Sequence, residues 1–448
     1  VTAPASADRG QWSSQIGFIL AAAGSAIGLG NIWRFPYSAG EGGGGAFVLI
    51  YLVCVLALGL PVMLLEISLG RRTQKNPVGA IRTIRPKGPW KALGYLAILT
   101  GLGILSFYAV IAGEVLEMWV DYSQRLVTGR AMLDGFGAAP SLGFFALFVV
   151  LTVLVVAGGV QRGIERWAKI LMPVLLVMML GIIVRGLMLP GASKGVAWLL
   201  TPDFSKITLK VVLDAMAQAF FSLSLGMGAM LTYGSYLSKK QNILHCAAWV
   251  VAFDTLIAIL AGFMIFPALF ALGQKPDAGP NLIFQVLPAM FDTMPGGTLV
   301  GAAFFFLLGV AALTSTVSLL EVVAAYFIDE LDWTRRRTVW AAGAATIALG
   351  IPSALAWVGI EPLASGEILG QKGFFSLMDF LWVNLSLPFG ALMLCLFAAY
   401  VWGLKPAVDE IVSSAPGFRR LAPVWRVFIL VVCPIAITVI LVTKLIPS

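Results

Sequence analysis

Charge is scarce in this chain. Asp, Glu, Lys and Arg make up 12% of its 448 residues, about half the roughly 25% typical of a soluble domain. Histidine is nearly absent: His245 stands alone beside a basic loop. That removes multi-histidine metal sites and His–Ser or His–Cys nucleophilic pairs. The four cysteines (Cys54, Cys246, Cys395, Cys433) lie in or beside apolar runs without CxxC spacing, so they read as small buried hydrophobes rather than zinc ligands or disulfides. No HExxH and no P-loop occurs, which argues against an enzyme and against ATP as the energy source. No charged-then-apolar leader precedes the first apolar run.

What is abundant is apolar sequence. Hydrophobic residues make up 59% of the chain, the composition of a polytopic membrane protein whose partner is the lipid bilayer. The net charge of +8 does not indicate nucleic acid, because the basic residues sit in short loops rather than on one face. Eleven spans are predicted, at 13–38, 46–70, 92–120, 141–160, 167–189, 209–237, 242–272, 299–328, 338–358, 374–402 and 424–446. With the N-terminus inside, 20 of the 30 basic residues fall on the cytoplasmic side, so the chain is expected in the cell membrane with a cytoplasmic N-terminus and an extracytoplasmic C-terminus.

The first span contains what a membrane helix should avoid. Within Ala21–Tyr37, AAAGSAIGLGNIWRFPY, stand Gly24, Gly28, Gly30, Asn31, Arg34 and Pro36. Glycine and proline weaken a helix interior, and loosened backbone survives in a bilayer only where protein or a wet cavity satisfies it. Phe220–Gly228, FFSLSLGMG, repeats the pattern in the sixth span. Spans 1–5 (13–189) and 6–10 (209–402) therefore each open on an interrupted helix and, five being odd, run in opposite senses. This is the mark of an inverted-repeat transporter with its site between the breaks. A single transporter domain over 1–448, with a last span at 424–446, is expected.

Half-helix ends attract ions: amides draw anions, and carbonyls draw cations. Thr314, Ser315, Thr316 and Ser318 in the eighth span, and Asp254 in the seventh, supply oxygens suited to a hard cation. A hydroxyl run can equally bond its own helix carbonyls. Intramembrane carboxylates need a partner or a task; Glu66, Glu114, Asp254, Glu321 and Asp379 qualify, whereas Glu117, Asp214 and Asp329 are expected to snorkel near the interfaces. Arg34 with Asp379 outside, and Arg9 with Asp329 inside, are candidate gate pairs. The outer loop 273–298 contains LIFQVLPAMF, a short amphipathic helix that suits either interfacial packing or a lid.

GSAIGLGNIWRFPY, GGGAF (43–47), GLPVMLLEISLG (59–70), RGIERWAKILMP (162–173), FFSLSLGMG and ALTS together resemble the neurotransmitter:sodium symporter family across nearly the whole chain. The chain is similar to its shorter bacterial members. The resemblance implies an all-α, LeuT-type fold of 11 transmembrane helices in a 5+5 inverted repeat, with spans 1 and 6 unwound. It implies two sodium sites. The first takes the Ala26 carbonyl, Asn31, Ser222, Asp254 and the substrate carboxylate; the second takes the carbonyls of Gly24, Ile27 and Ala311 and the hydroxyls of Thr314 and Ser315. The amides of Leu29 and Gly30 and the Tyr108 hydroxyl would hold the substrate carboxylate, and carbonyls of Ala26, Phe221, Ser222 and Ser224 its ammonium group. Phe221 would be a lid, Arg34–Asp379 the outer gate, and Arg9–Asp329 with Trp12, Ser235 and Tyr236 the inner latch. Gly163 and Pro173 would form a hinge.

Two departures from the family pattern bear on function. Asp254 stands where many members have Asn, and Ala258 where Ser or Glu is frequent; a fixed carboxylate replaces the anion near that sodium, so chloride independence is expected. Met227 stands where Phe would narrow the pocket. With Ile104, Tyr108, Phe221, Ser315 and Leu319 it gives an apolar pocket for neutral, hydrophobic amino acids, although methionine in a helix also serves plain packing. The expected function is sodium-coupled amino-acid import. The alternative is a ligand-gated channel or non-transporting receptor on the same scaffold.

Overall fold

A computed structural model describes residues 11–129, 138–159, 166–276 and 282–445. Apolar runs in lipid must satisfy their own backbone, so helix dominates. The helices are α1 (Gln15–Ala26), α2 (Gly30–Glu41), α3 (Gly45–Thr73), α4 (Pro77–Ile84), α5 (Lys91–Thr128), α6 (Ala138–Ala157), α7 (Arg166–Leu187) and α8 (Ala192–Leu200). They continue as α9 (Leu209–Ser222), α10 (Ala229–Ser235), α11 (Ile243–Ala271), α12 (Leu282–Asp292), α13 (Gly297–Leu331) and α14 (Arg335–Trp357), then α15 (Phe374–Trp402), α16 (Leu404–Val412) and α17 (Phe418–Thr443). Beside them stands one small antiparallel ribbon, β1 (Glu367–Ile368) and β2 (Gln371–Lys372).

Eight of the described helices are long and apolar enough to cross a membrane, and ten spans result if each of two bent pairs counts as one. Those pairs are α1 with α2, bent by 45°, and the Met172–Leu187 part of α7 with α8, bent by 117°. The predicted span 209–237 is not among them, because Leu223–Gly228 divides it into helices of 14 and 7 residues. The surface suits lipid: Val53, Leu56 and Val177 are 57%, 62% and 70% exposed.

α5 and α13 pack together more extensively than any other pair, and α1 lies against both α11 and α13. Both breaks are thereby held in the middle of the bundle. α12 forms where LIFQVLPAMF predicts it and buries Leu282, Val286 and Phe291.

Two expectations need correction. Glu117 does not snorkel: it is 4% exposed and accepts a hydrogen bond from Ser141 at 3.1 Å. α5 runs to Thr128 instead of residue 120, which leaves Glu117 about three turns inside the helix end. Arg71 does not sit in a solvated basic loop. Its helix continues to Thr73, and its buried guanidinium meets Glu410 at 2.7 Å, the Gln241 carbonyl at 2.7 Å and the Glu410 carbonyl. Lys239 joins the same carboxylate at 2.8 Å, so α3, the 239–241 turn and α16 share one buried charge cluster.

Candidate functional site

The first break follows from crowding as much as from propensity. α1 stops at Ala26 and Ile27 turns extended, with ψ 103°. A side chain at Gly28 would run into the Ser315 hydroxyl and come within 2.7 Å of the Tyr108 oxygen, so no larger residue fits there. The Leu29 amide donates to that Tyr108 oxygen at 2.9 Å. The second break needs three left-handed residues, Ser224, Gly226 and Gly228, at φ 54°, 82° and 74°. Glu66 stitches it in place by accepting from the Gly226 amide at 2.7 Å.

Between the breaks lies a tight cavity of about 20 Å³, lined by Ser25, Ala26, Gly30, Ile104, Tyr108, Phe221, Ser224, Met227, Ser315 and Leu319. None of these side chains is charged. Nine of the eleven predicted substrate residues line it. Leu29 and Ser222 do not: the Leu29 amide donates to Tyr108, which lines the cavity, and the Ser222 hydroxyl turns to Asp254. Ser25 belongs to the site unannounced, its carbonyl accepting from the Ser224 and Ser315 hydroxyls at 3.2 Å each. Its position inside GSAIG was the available signal.

Two oxygen clusters flank the cavity. In one, the fully buried Asp254 carboxylate accepts from Ser222 at 2.7 and 2.8 Å, from the Asn31 amide nitrogen at 2.8 Å and from Tyr51 at 3.2 Å. All these donors are neutral. The Asn31 oxygen, expected to face a cation, instead accepts from the Gly28 amide at 3.3 Å; a carboxylate draws donors, and half a turn of the amide exchanges nitrogen for oxygen. In the other cluster the Thr314 hydroxyl lies 2.6 Å from the Gly24 carbonyl and 2.8 Å from that of Ala311. Ser315, predicted to join it, bonds Ser25 instead. Neutral and anionic oxygens in this number suit a hard monovalent cation.

One end of the site is closed. Arg34, 5% exposed, donates to both Asp379 oxygens at 3.2 and 3.3 Å and lies over the Phe221 ring at 5.2 Å. Gln218 ties this pair to the first break: its oxygen accepts from Arg34 at 2.9 Å and its nitrogen donates to the Gly30 carbonyl at 2.7 Å. The sequence reading missed Gln218 and Tyr51. Gln218 is a polar residue one turn before Phe221–Ser222, a spacing that shares a helix face.

At the opposite end Trp12 donates to the Tyr233 carbonyl at 3.0 Å and packs against Phe18, Tyr233 and Tyr236. Tyr236 donates to Glu321 at 2.8 Å, which pairs with Arg335 at 2.8 Å. The Ser235 hydroxyl bonds the Thr232 carbonyl of its own helix. Asp329 accepts from the Asn76 amide and side chain at 3.1 and 3.0 Å. Pro173 lies inside α7. Arg9 and Gly163 lie outside the described residues.

The sequence profile of the sodium:neurotransmitter symporter family matches residues 9–126 and 117–448. The chain belongs to this family. A sodium-dependent transporter of Bacillus subtilis, YhdH, is 38% identical over 439 residues, covering 96% of each chain. Another from Haemophilus influenzae is 34% identical over 460 residues, covering 98% of each. The crystal structure of MhsT in complex with L-phenylalanine matches with a TM-score of 0.90 at 43% identity, over 98% of this chain and 100% of that one. The protein is thus a multi-pass, sodium-dependent symporter-family transporter of LeuT-like fold, and not an enzyme. One pattern in this symporter is coincidental: GASKG at 191–195 has the spacing of a nucleophile elbow, but it joins two helices with no strand before it.

Proposed function

We propose that this symporter imports neutral, hydrophobic L-amino acids by alternating access, driven by two sodium ions and independent of chloride. The observation that carries the reading is the central cavity. Both broken helices meet at one pocket whose lining has no charged side chain, while a buried carboxylate stands just outside it. Backbone amides and carbonyls can hold the amino-acid head, and an apolar wall with Met227 and Ile104 leaves a charged side chain without a partner. MhsT, whose structure is described as a complex with L-phenylalanine, supports an aromatic substrate.

In this reading Asp254, Asn31, Ser222, the Ala26 carbonyl and the substrate carboxylate hold one sodium. Gly24, Ile27, Ala311, Thr314 and Ser315 hold the other. The shared ligand makes coupling reciprocal: substrate completes the ion's shell, and the ion neutralises the substrate. Arg34, Asp379 and Phe221 gate the outside; Trp12, Tyr236 and Ser235, with Arg9 and Asp329, latch the inside; Gly163 and Pro173 form the hinge. The chain forms one domain of eleven spans in the cell membrane, the N-terminus cytoplasmic and the C-terminus outside. Counting the interrupted α9–α10 as one span and α7 as another supports that number. Spans 1–5 (13–189) and 6–10 (209–402) are the repeats, followed by 424–446.

The test is uptake of a labelled amino-acid panel into proteoliposomes against sodium concentration, in chloride and in gluconate. Saturable, sodium-driven accumulation of Leu, Phe or Trp is expected in both anions. Preference for glycine or betaine would overturn the substrate class, and collapse in gluconate the anion independence. Binding without accumulation would make the protein a receptor.

A further inference from the structure

Where α5 begins, the chain passes from a basic loop directly into an apolar groove. The groove lies between α5 and α15 and has a volume of about 590 Å³; Trp90, Leu93, Tyr95, Leu99, Phe389 and Met393 are among its walls, and no charged side chain lines it. Leu99 and Phe389 are 55% and 44% exposed, so the groove opens sideways to the hydrocarbon. Trp90 and Tyr95 are residues of the type that gathers at headgroup level.

The mouth is cationic. Lys91 stands between the lining residues Trp90 and Ala92, and Lys87 precedes the lining Pro89 by two positions, with Arg85 just before. All three are exposed, and among the described residues none forms an ion pair. Their neighbour Arg82 differs, being bonded to Glu330 at 2.7 Å. Loop cations also set orientation; here three uncompensated ones immediately adjoin, in sequence, the residues that line an apolar groove.

We propose that this groove binds one anionic phospholipid, with an acyl chain along α5 and α15 and the phosphate at Lys87 and Lys91. The complementarity is of two kinds at once: apolar wall for the tail, unpaired ammonium groups for the head. Neither the sodium sites nor the amino-acid cavity enters the argument, so it stands apart from the proposed function.

Native mass spectrometry of the full-length protein, offered equal amounts of phosphatidylglycerol and phosphatidylcholine with the same acyl chains, tests the proposal. One phosphatidylglycerol should be retained in preference. Each removed charge should lower that preference about five-fold, so Lys87→Gln with Lys91→Gln should lower it roughly 25-fold. Lys206→Gln, outside the groove, should leave it unchanged. Ala92→Phe should reduce retention by filling the groove with its charges intact. A phosphatidylglycerol bearing a diazirine on its acyl chain supplies an independent readout on unmutated protein and should label 89–99 and 389–393. Equal retention of both lipids, an unchanged double variant, displacement by free glycerol phosphate, or labelling scattered around the belt would each overturn it.

Discussion

Asp254→Asn isolates the contribution of one buried charge to sodium binding. The carboxylate is fully buried, and its partners Ser222, Asn31 and Tyr51 are neutral donors at 2.7–3.2 Å. No protein cation among them offsets it, so a cation from solution is the natural counter-charge. The amide keeps the shape and one acceptor while removing the charge. Breaking a buried ion pair from one side costs about 3–5 kcal/mol. The carbonyl that remains can still ligate, which leaves about 2–4 kcal/mol, or roughly 30- to 1,000-fold in sodium half-saturation. The Asn31 amide can turn to meet the new NH2 group, but it then gives up its 3.3 Å bond from the Gly28 amide and its nitrogen's bonds to the Asp254 carbonyl and the Ser222 hydroxyl at 2.8 and 3.1 Å, at about 1 kcal/mol each, so melting temperature is measured alongside binding.

The assay is sodium-dependent binding of labelled phenylalanine to purified protein, with choline replacing sodium, in chloride and in gluconate. The variant should need far more sodium than the wild type, and chloride should recover part of the loss by restoring a negative charge nearby. The wild type should be indifferent to the anion. A variant half-saturation within three-fold of wild type would remove Asp254 from the ion's shell. Loss of wild-type binding in gluconate would end the claim that the carboxylate replaces chloride.

Four further outcomes follow. Gly28→Ala drives a methyl group into Ser315 and Tyr108 and should abolish substrate binding, measured by equilibrium binding, and weaken the sodium-only conformational signal through Ser315. Met227→Phe should shift preference in competition assays from aromatic toward smaller side chains by about ten-fold, the scale set by 1–3 kcal/mol for a changed hydrophobic pocket. Gln218→Leu leaves the Gly30 carbonyl and an Arg34 N–H without this partner; at about 1–3 kcal/mol for each unsatisfied group, substrate half-saturation should rise ten-fold or more, and an unchanged value would make Gln218 mere packing. Burial pushes the Glu410 carboxyl up, but bonds from Lys239 and Arg71 outweigh it and hold it below its ordinary value. Its stabilisation is therefore complete above the ordinary carboxylate range and lost as pH falls through the lowered value, so wild-type melting temperature should drop below about pH 4 where that of Glu410→Gln stays flat.

The helix breaks were legible because their causes are local. Glycines, Asn31 and Pro36 interrupt an apolar run wherever that run lies, and the family motif then carries Tyr108, Phe221, Ser315 and Leu319 onto one pocket that the folded chain does assemble. Partner choice was less legible. Arg71 and Glu410 are 339 residues apart, and nothing around Arg71 distinguishes it from the exposed Arg72 beside it. Glu117 was misread because its burial depends on where α5 ends, and charged residues past 120 looked like a loop. Ser25 contributes a carbonyl, a group every residue has, so its side chain could not announce it.

Gln218 shows why such omissions matter. Gly30 is one of the two amide positions at the helix break, and its carbonyl is fixed by the same side chain that accepts from Arg34. One side-chain amide therefore spans the interval between the unwound Gly30 backbone and the Arg34–Asp379 pair. A displacement of the unwound backbone at Gly30 must stretch the 2.7 Å bond, carry Gln218 along, or break it. In the second case Arg34 follows, since its 2.9 Å bond ends on the same side chain. The Gly30 backbone and the Arg34–Asp379 pair thus share a mechanical element that belongs to neither alone, joining α2 to α9 beside the two breaks; under the proposed function it would couple carboxylate capture to gate closure.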